Sequence, residues 1–157
     1  METLGGTSTF RHATIRVSTE DATQFIDITD QLEAIVAAAA VETGLVNVHT
    51  LHTTTAIVVN EHEALLLTDI AALLERAAPQ AAVYRHDNIT LRSVNCVLGD
   101  RANGHSHCRA LLLGSSIALH VSGRRLQLGR WQRVFLVELD GPRLRDVSVL
   151  VVGEGRQ

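Results

Sequence analysis

A chain of 157 residues is the length of a single domain and can bury a core of its own. Hydrophobic residues make up 46% of it, which excludes a disordered chain, and aromatics only 3%, so each aromatic stands out against an Ala/Val/Leu/Ile background. The net charge is −3 and no basic block or aromatic-interleaved basic stripe occurs, which argues against a nucleic-acid partner. No apolar run is long enough to span a bilayer, and Met1-Glu-Thr-Leu-Gly-Gly lacks the regions of a signal peptide. A cytoplasmic location without a membrane partner is therefore expected. In that setting Cys96 and Cys108 read as free thiols. All 14 basic residues are Arg, and eight histidines is a high count for this length.

Residues 1–8 are Gly/Thr/Ser-rich and are expected to form a tail ahead of one domain over 9–157. Alternating apolar and polar residues predict a strand over Phe10–Ser18 and a second over Gln24–Ile28, joined at Ser18-Thr-Glu-Asp as a hairpin. Thr29 or Asp30 then caps a first helix, with Glu33 at capping-box spacing from Asp30. Leu32, Ile35, Val36 and Ala39 form its apolar face, and Gly44 is its expected stop. Leu45–Val59 has the β-branched content of one long strand. Asn60, followed three residues later by Glu63, is placed as the N-cap of a second helix. Leu66, Ile70, Leu73 and Leu74 supply its stripe, and Pro79 ends it.

Ala82–Asp87 reads as a connector, Ile89–Leu98 as mixed β, and Gly99–Gly104 as a loop. Periodicity leaves His105–Leu113 open between helix and strand. Strands are predicted over Ser116–Val121, Arg125–Leu128, Trp131–Leu139 and Arg145–Val152. Two helices with a majority of antiparallel strands give an α+β domain with a sheet or sandwich core.

Four segments carry side chains suited to chemistry. In His49-Thr-Leu-His52, residues three apart on a strand face opposite ways, so both histidines cannot serve one site without a bulge. His52 is favoured by the Thr53, Thr54 and Asn60-Glu61 that follow it. At a strand-to-helix junction Asn60 is accounted for by capping, which leaves Glu61 as the functional candidate. Tyr84-Arg-His86-Asp87 reads equally as a ligand-bearing connector and as a surface turn. In Asn103-Gly-His105-Ser-His107-Cys108, imidazoles and a thiol sit at spacings that zinc accepts.

The fourth segment runs from Gly129-Arg-Trp131-Gln132 through Glu138-Leu-Asp140 to Arg143 and Arg145. Two readings are open for the arginines: a forked clamp on a phosphate or carboxylate, or a salt-bridged rim with Glu138 and Asp140. Trp131 reads as a packing anchor or interface residue. The chain contains no phosphate-cradling Gly-rich loop, no Gly-x-Ser-x-Gly elbow and no Cys-x-x-Cys.

Taken in order, His52-Thr-Thr-Thr-Ala-Ile-Val-Val-Asn60-Glu61, Tyr84-Arg-His86, Asn103-Gly-His-Ser-His107 through Gly114, and Leu128-Gly-Arg-Trp131-Gln132 through Glu138-Leu-Asp140-Gly-Pro-Arg143 resemble the YjbQ-like family. That family is often labelled secondary thiamine-phosphate synthase. The resemblance spans roughly Phe10 to Gly153, with Arg130 where the family usually has Thr. It implies a curved antiparallel sheet or sandwich, half-barrel-like, with two main helices, assembled as a homotrimer. It also implies a polar site, at subunit contacts in one version, where histidines hold a divalent metal. The implied reaction joins a pyrimidine diphosphate to a thiazole phosphate and expels pyrophosphate.

Carried onto this chain, the implied site has His52, His86 and His107 as metal ligands, with Glu61, Asn60 and Thr53 in catalysis. Thr54, Asn103, Arg143 and Arg145 are assigned to a phosphorylated substrate. Three histidines suit zinc, whereas synthase chemistry at a diphosphate would call for Mg²⁺. The alternatives are a non-catalytic trimer that binds a phosphorylated or carboxylated metabolite, a zinc-dependent hydrolase, and a set of histidines that serves structure alone.

Overall fold

A computed structural model describes residues 8–96 and 99–155. In chain order they form β1 (Ser8–Ser18), β2 (Gln24–Asp27), α1 (Thr29–Ala39), β3 (Thr43–Thr50), β4 (Thr55–Glu61), α2 (Ala64–Ala77), α3 (Gly104–Leu113), β5 (Ser116–Ser122), β6 (Arg125–Leu126), β7 (Gln132–Glu138) and β8 (Leu144–Glu154), with a single 3₁₀ turn at Arg85–Asp87. The fold is α+β. A curled, half-barrel-like five-stranded antiparallel sheet has the order β1-β8-β3-β5-β6, and a second antiparallel sheet has the order β2-β7-β4. No helix among the described residues is long and apolar enough to cross a membrane.

The inward positions of the large sheet follow the two-residue period. In β8, Arg145, Val147, Val149 and Val151 are buried while their neighbours are not, and β3 buries Val46, Val48 and Thr50 in the same way. The valines among them meet Ile57, Val134 and Leu136 of the small sheet and Leu32, Val36 and Ala39 of α1 in the main core. The other face of the small sheet packs Ala56, Phe135, Val137 and Leu139 against Leu74 of α2 and Ala110 of α3. Strand β7 is thus covered on both faces, which is why its sequence reads as a nearly continuous apolar run.

Several expectations are corrected. β1 and β2 form no hairpin, because β1 pairs with β8 and β2 with β7. The stretch expected as one long strand is two strands in different sheets, broken by a turn at 51–54. The first helix has no side-chain N-cap and ends at Ala40, which takes the left-handed conformation (φ 56°). Gly44 lies inside β3, facing Gly153 of β8, and a Cβ there would stand 2.1 Å from the Val152 carbonyl oxygen.

Asn60 is not a cap. It belongs to β4, and Glu63 caps α2 by accepting hydrogen bonds from the Leu65 and Leu66 N–H groups. A strand continued through Glu61 displaces the helix start by three residues. Residues 89–96 contain no strand, and residues 97–98 of that expected segment lie outside the described residues, as do residues 1–7 of the tail. Ser8 opens β1. His105–Leu113 is helical, which makes three α-helices among the described residues in place of the two expected.

The two small-residue positions have opposite consequences. Gly44→Ala forces a Cβ into backbone, beyond ordinary overpacking, and is expected to cost more than about 3 kcal/mol. Ala40→Gly removes the left-handed penalty and is expected to gain about 0.5–1 kcal/mol. Denaturant unfolding of the two variants checks both signs.

Candidate functional site

The site is built where β7 ends and β8 begins. Glu138 and Arg145 each continue the inward period of their strand, so both point between the sheets, and their side chains are 0% and 3% exposed. Arg145 grips Glu138 through two charge-assisted bonds of 2.6 Å, from Nε to Oε2 and from Nη2 to Oε1. Glu138 also accepts from the Leu139 and Asp140 N–H groups and the Thr19 hydroxyl. Burial opposes its ionisation, but the Arg145 fork, the Asp140 N–H and Thr19 outweigh burial and hold its pKa below the usual glutamate value. Arg145 Nη2 reaches on to the Thr54 hydroxyl at 3.2 Å, and the Thr54 carbonyl accepts the Leu139 N–H at 3.2 Å. The pair therefore fixes the 51–54 turn against the end of β7.

Beyond this pair lies a polar cavity of about 250 Å³ walled by His52, Thr53, Thr54, Asn103, His107, Asp140, Arg143 and Arg145. Asp140 accepts from Arg143 Nη2 at 2.8 Å and Asn103 Nδ2 at 3.0 Å. A neighbouring space of about 420 Å³ shares His52, Thr53 and His107 and continues over Ala110, Leu111 and Gly114.

The turn and α3 reach the cavity by different routes. His52 Nε2 accepts the Asp146 N–H at 2.9 Å, so the neutral ring carries its proton on Nδ1. Burial and the charge of Arg145 push the His52 pKa down. α3 is held by a residue remote in sequence. Asp87 Oδ1 accepts the N–H groups of Asn103 and Gly104, and Tyr84 occupies the space that a Cβ on Gly104 would need. Ser106 anchors the same helix to the Leu139 carbonyl at 2.6 Å. This docking sets His86 against His107, with ring centroids 4.6 Å apart. Burial and the neighbouring His86 lower the His107 pKa.

The structure therefore brings together His52, Thr53, Thr54, Asn103, His107, Arg143 and Arg145, with His86 beside His107. It does not bring Asn60 and Glu61 to them. These two lie at the far end of β4, about 20 Å along the strand from Thr55 at a rise of about 3.3 Å per residue. Of the two readings open for the arginines, both are salt-bridged, to Asp140 and Glu138, and the Arg145 pair lies in the interior rather than on a rim. Arg143 keeps a 42% exposed side chain and Arg145 does not.

Asp140, read only as a salt-bridge partner, is also a cavity wall that positions Asn103. Asp87 was visible beside His86, but nothing in the sequence announces a partner 16 residues away.

A catalytic zinc needs three protein donors converging on one point. His86 and His107 lie close together, but His52 Nε2 is taken by a backbone N–H. Among the described residues, no group of three or more His, Cys, Asp or Glu side chains could hold a metal ion. The donors of one chain do not fit a zinc centre.

Glu138→Gln leaves Arg145 buried against a neutral partner, and its expected cost at neutral pH is about 3–5 kcal/mol. Because the Glu138 pKa is lowered on folding, its contribution is complete above the unfolded value near 4.5 and is lost as pH falls through the folded value. Acid titration of stability is therefore expected to be shallower in the variant than in the native chain.

Residues 13–154 match the family model described as UPF0047 protein YjbQ-like. A UPF0047 protein of Archaeoglobus fulgidus is 40% identical over 86% of this chain and 96% of its own length. One from Synechocystis is 30% identical over 96% and 99%. Among solved structures, a YbjQ-like protein of unknown function from Sulfolobus solfataricus superposes with a TM-score of 0.85 at 34% identity, covering 94% of this chain and 100% of that one. A hypothetical protein from Aeropyrum pernix gives a TM-score of 0.81 at 33% identity, covering 92% and 99%. The match of sequence and fold along nearly the whole chain places this protein in the UPF0047, YjbQ-like family.

Proposed function

We propose that the polar cavity holds the phosphate of a small phosphorylated metabolite. The observation that carries this reading is the convergence of Arg143, Asn103, Thr53, His52 and His107 from three separate segments on one cavity. Arg143 is the charged contact. Of its five N–H donors, one serves Asp140 in the present geometry, and the exposed remainder can take a phosphate oxygen. His52 and His107, both with lowered pKa values, act near neutral pH as uncharged hydrogen-bonding walls. Arg145 supports the cavity from behind, since its charge is spent on Glu138.

The catalytic form of this reading is a weak thiamine-phosphate synthase activity, in which a thiazole phosphate is held while pyrophosphate leaves a pyrimidine diphosphate. A departing diphosphate must be neutralised, and one exposed guanidinium among the wall residues supports slow turnover.

The close pair His86–His107 favours a second reading, in which two imidazoles of one chain and a donor from another copy share a divalent metal in a homotrimer. Imidazole donors favour zinc. Glu61 then serves the site of a neighbouring copy.

Calorimetric titration with inorganic phosphate is expected to give one site per chain. Arg143→Ala is expected to weaken it about ten- to a hundredfold, the worth of a charge-assisted hydrogen bond. Equal binding by native and variant chains would remove the phosphate reading. Incubation with the pyrimidine diphosphate and thiazole phosphate tests the transfer by release of pyrophosphate. For the second reading, EDTA is expected to strip the metal and lower the mass in light scattering, and an unchanged metal-free trimer would refute it.

A further inference from the structure

A second cavity, of about 280 Å³, lies beneath α2 at the opposite end of β4. Its floor is Phe25, Val58 and Phe135 of the small sheet, and its roof is Leu67, Ile70 and Leu73 of α2. The roof is loosely seated: of the 14 residues of α2, Leu74 alone is fully buried. The one polar lining residue is Asn60. Its Oδ1 accepts the Glu61 N–H at 2.8 Å, and the amide NH₂ has no partner among the described residues.

His62 follows two residues on; it does not itself line the cavity, but its ring packs against that of the lining residue Phe135, with centroids 5.2 Å apart. Its Nδ1 is hydrogen-bonded to Asp27 Oδ2 at 2.9 Å. That carboxylate is itself held by Arg133 Nε at 2.7 Å and the Thr29 N–H at 2.9 Å. Burial works against the charge of Asp27, yet these bonds outweigh it and bring its pKa to about 2. A carboxylate fixed in this way orients the imidazole and leaves Nε2 as the free ring nitrogen.

We propose that this cavity is a binding site for a small uncharged molecule with an apolar ring or branched chain and one hydroxyl group. The apolar body lies between Phe135 and α2. At the mouth the hydroxyl donates to His62 Nε2 and accepts from the Asn60 amide, a pairing that selects OH over either a carboxylate or a bare hydrocarbon. Apolar cavities of about 150 Å³ already stay dry and take up benzene, so a space of this size accommodates a substituted ring. The site is independent of the phosphate cavity, with which it shares no lining residue.

The probe is p-cresol, with toluene as the analogue lacking the hydroxyl. Calorimetry on the native chain is expected to give one saturable p-cresol site and toluene binding about three- to tenfold weaker, the worth of a net hydrogen bond. His62→Ala is expected to bring p-cresol part of the way down to the toluene value, the Asn60 bond remaining, and to leave toluene unchanged. Methyl resonances of Leu67, Ile70 and Leu73 should shift on saturation, a readout that needs no variant. Leu73→Trp and Ile70→Phe, which fill the space from its rim and its roof, should abolish both ligands. No saturable binding, shifts confined to other methyl groups, or undiminished binding in a folded filled variant would overturn the proposal.

Discussion

The fork between Glu138 and Arg145 is the constraint on which the rest of the site depends. Both side chains occupy positions that the strand period assigns to the core, where an isolated charge would be prohibitively costly. Two short bonds between them, two backbone N–H groups and two threonine hydroxyls hold the pair. Those partners come from the turn after β1, the 51–54 turn and the end of β7. The same pair that closes one end of the core therefore gathers the loops that wall the polar cavity. Apolar residues in place of both Glu138 and Arg145 would avoid the desolvation of two charges, but they would leave the loops without a common anchor.

One consequence is a separation of roles between two arginines only two residues apart. Arg145 is structural because it points inward, and Arg143 is available because it points out of the cis-Pro142 turn toward the cavity. Asp140 balances Arg143 and orients Asn103, so the wall is close to neutral before a ligand arrives. The phosphate proposed for this cavity would compete with a carboxylate for one guanidinium. Such competition favours ligands that also use the uncharged donors on His52, Thr53 and Asn103.

Periodic features were legible in the sequence, and features that rest on long-range docking were not. The strand that became β8 and the apolar stripe of α1 came directly from residue spacing. The Asn60/Glu63 spacing placed the helix start at Asn60, and the ladder between β4 and β7 moved it to Glu63 by extending the strand to Glu61. Gly44 was misread because a glycine near a helix end and a glycine facing another glycine across a sheet look alike in one dimension. For the candidate site, local motif chemistry pointed to His52 and Arg143 and the family resemblance to Thr53 and His107, four residues that the fold brings to one cavity. Asp87 as the clamp on α3, and His62 with its Asp27 partner, lay outside any local pattern, because their partners are 16 and 35 residues distant.

α2 buries one residue fully and roofs an apolar cavity, whereas the sheets beneath it are continuous ladders. Stability in this molecule is accordingly uneven. The helix can lift as a local unit without breaking a strand pair, against the contacts of Leu74, Leu67 and Ile70 and the bonds of Arg109 to Glu75 and the Ala78 carbonyl. A cavity roofed by a low-stability unit has a door as well as a volume. Exchange of its contents is then governed by the opening of one helix rather than by unfolding of the core.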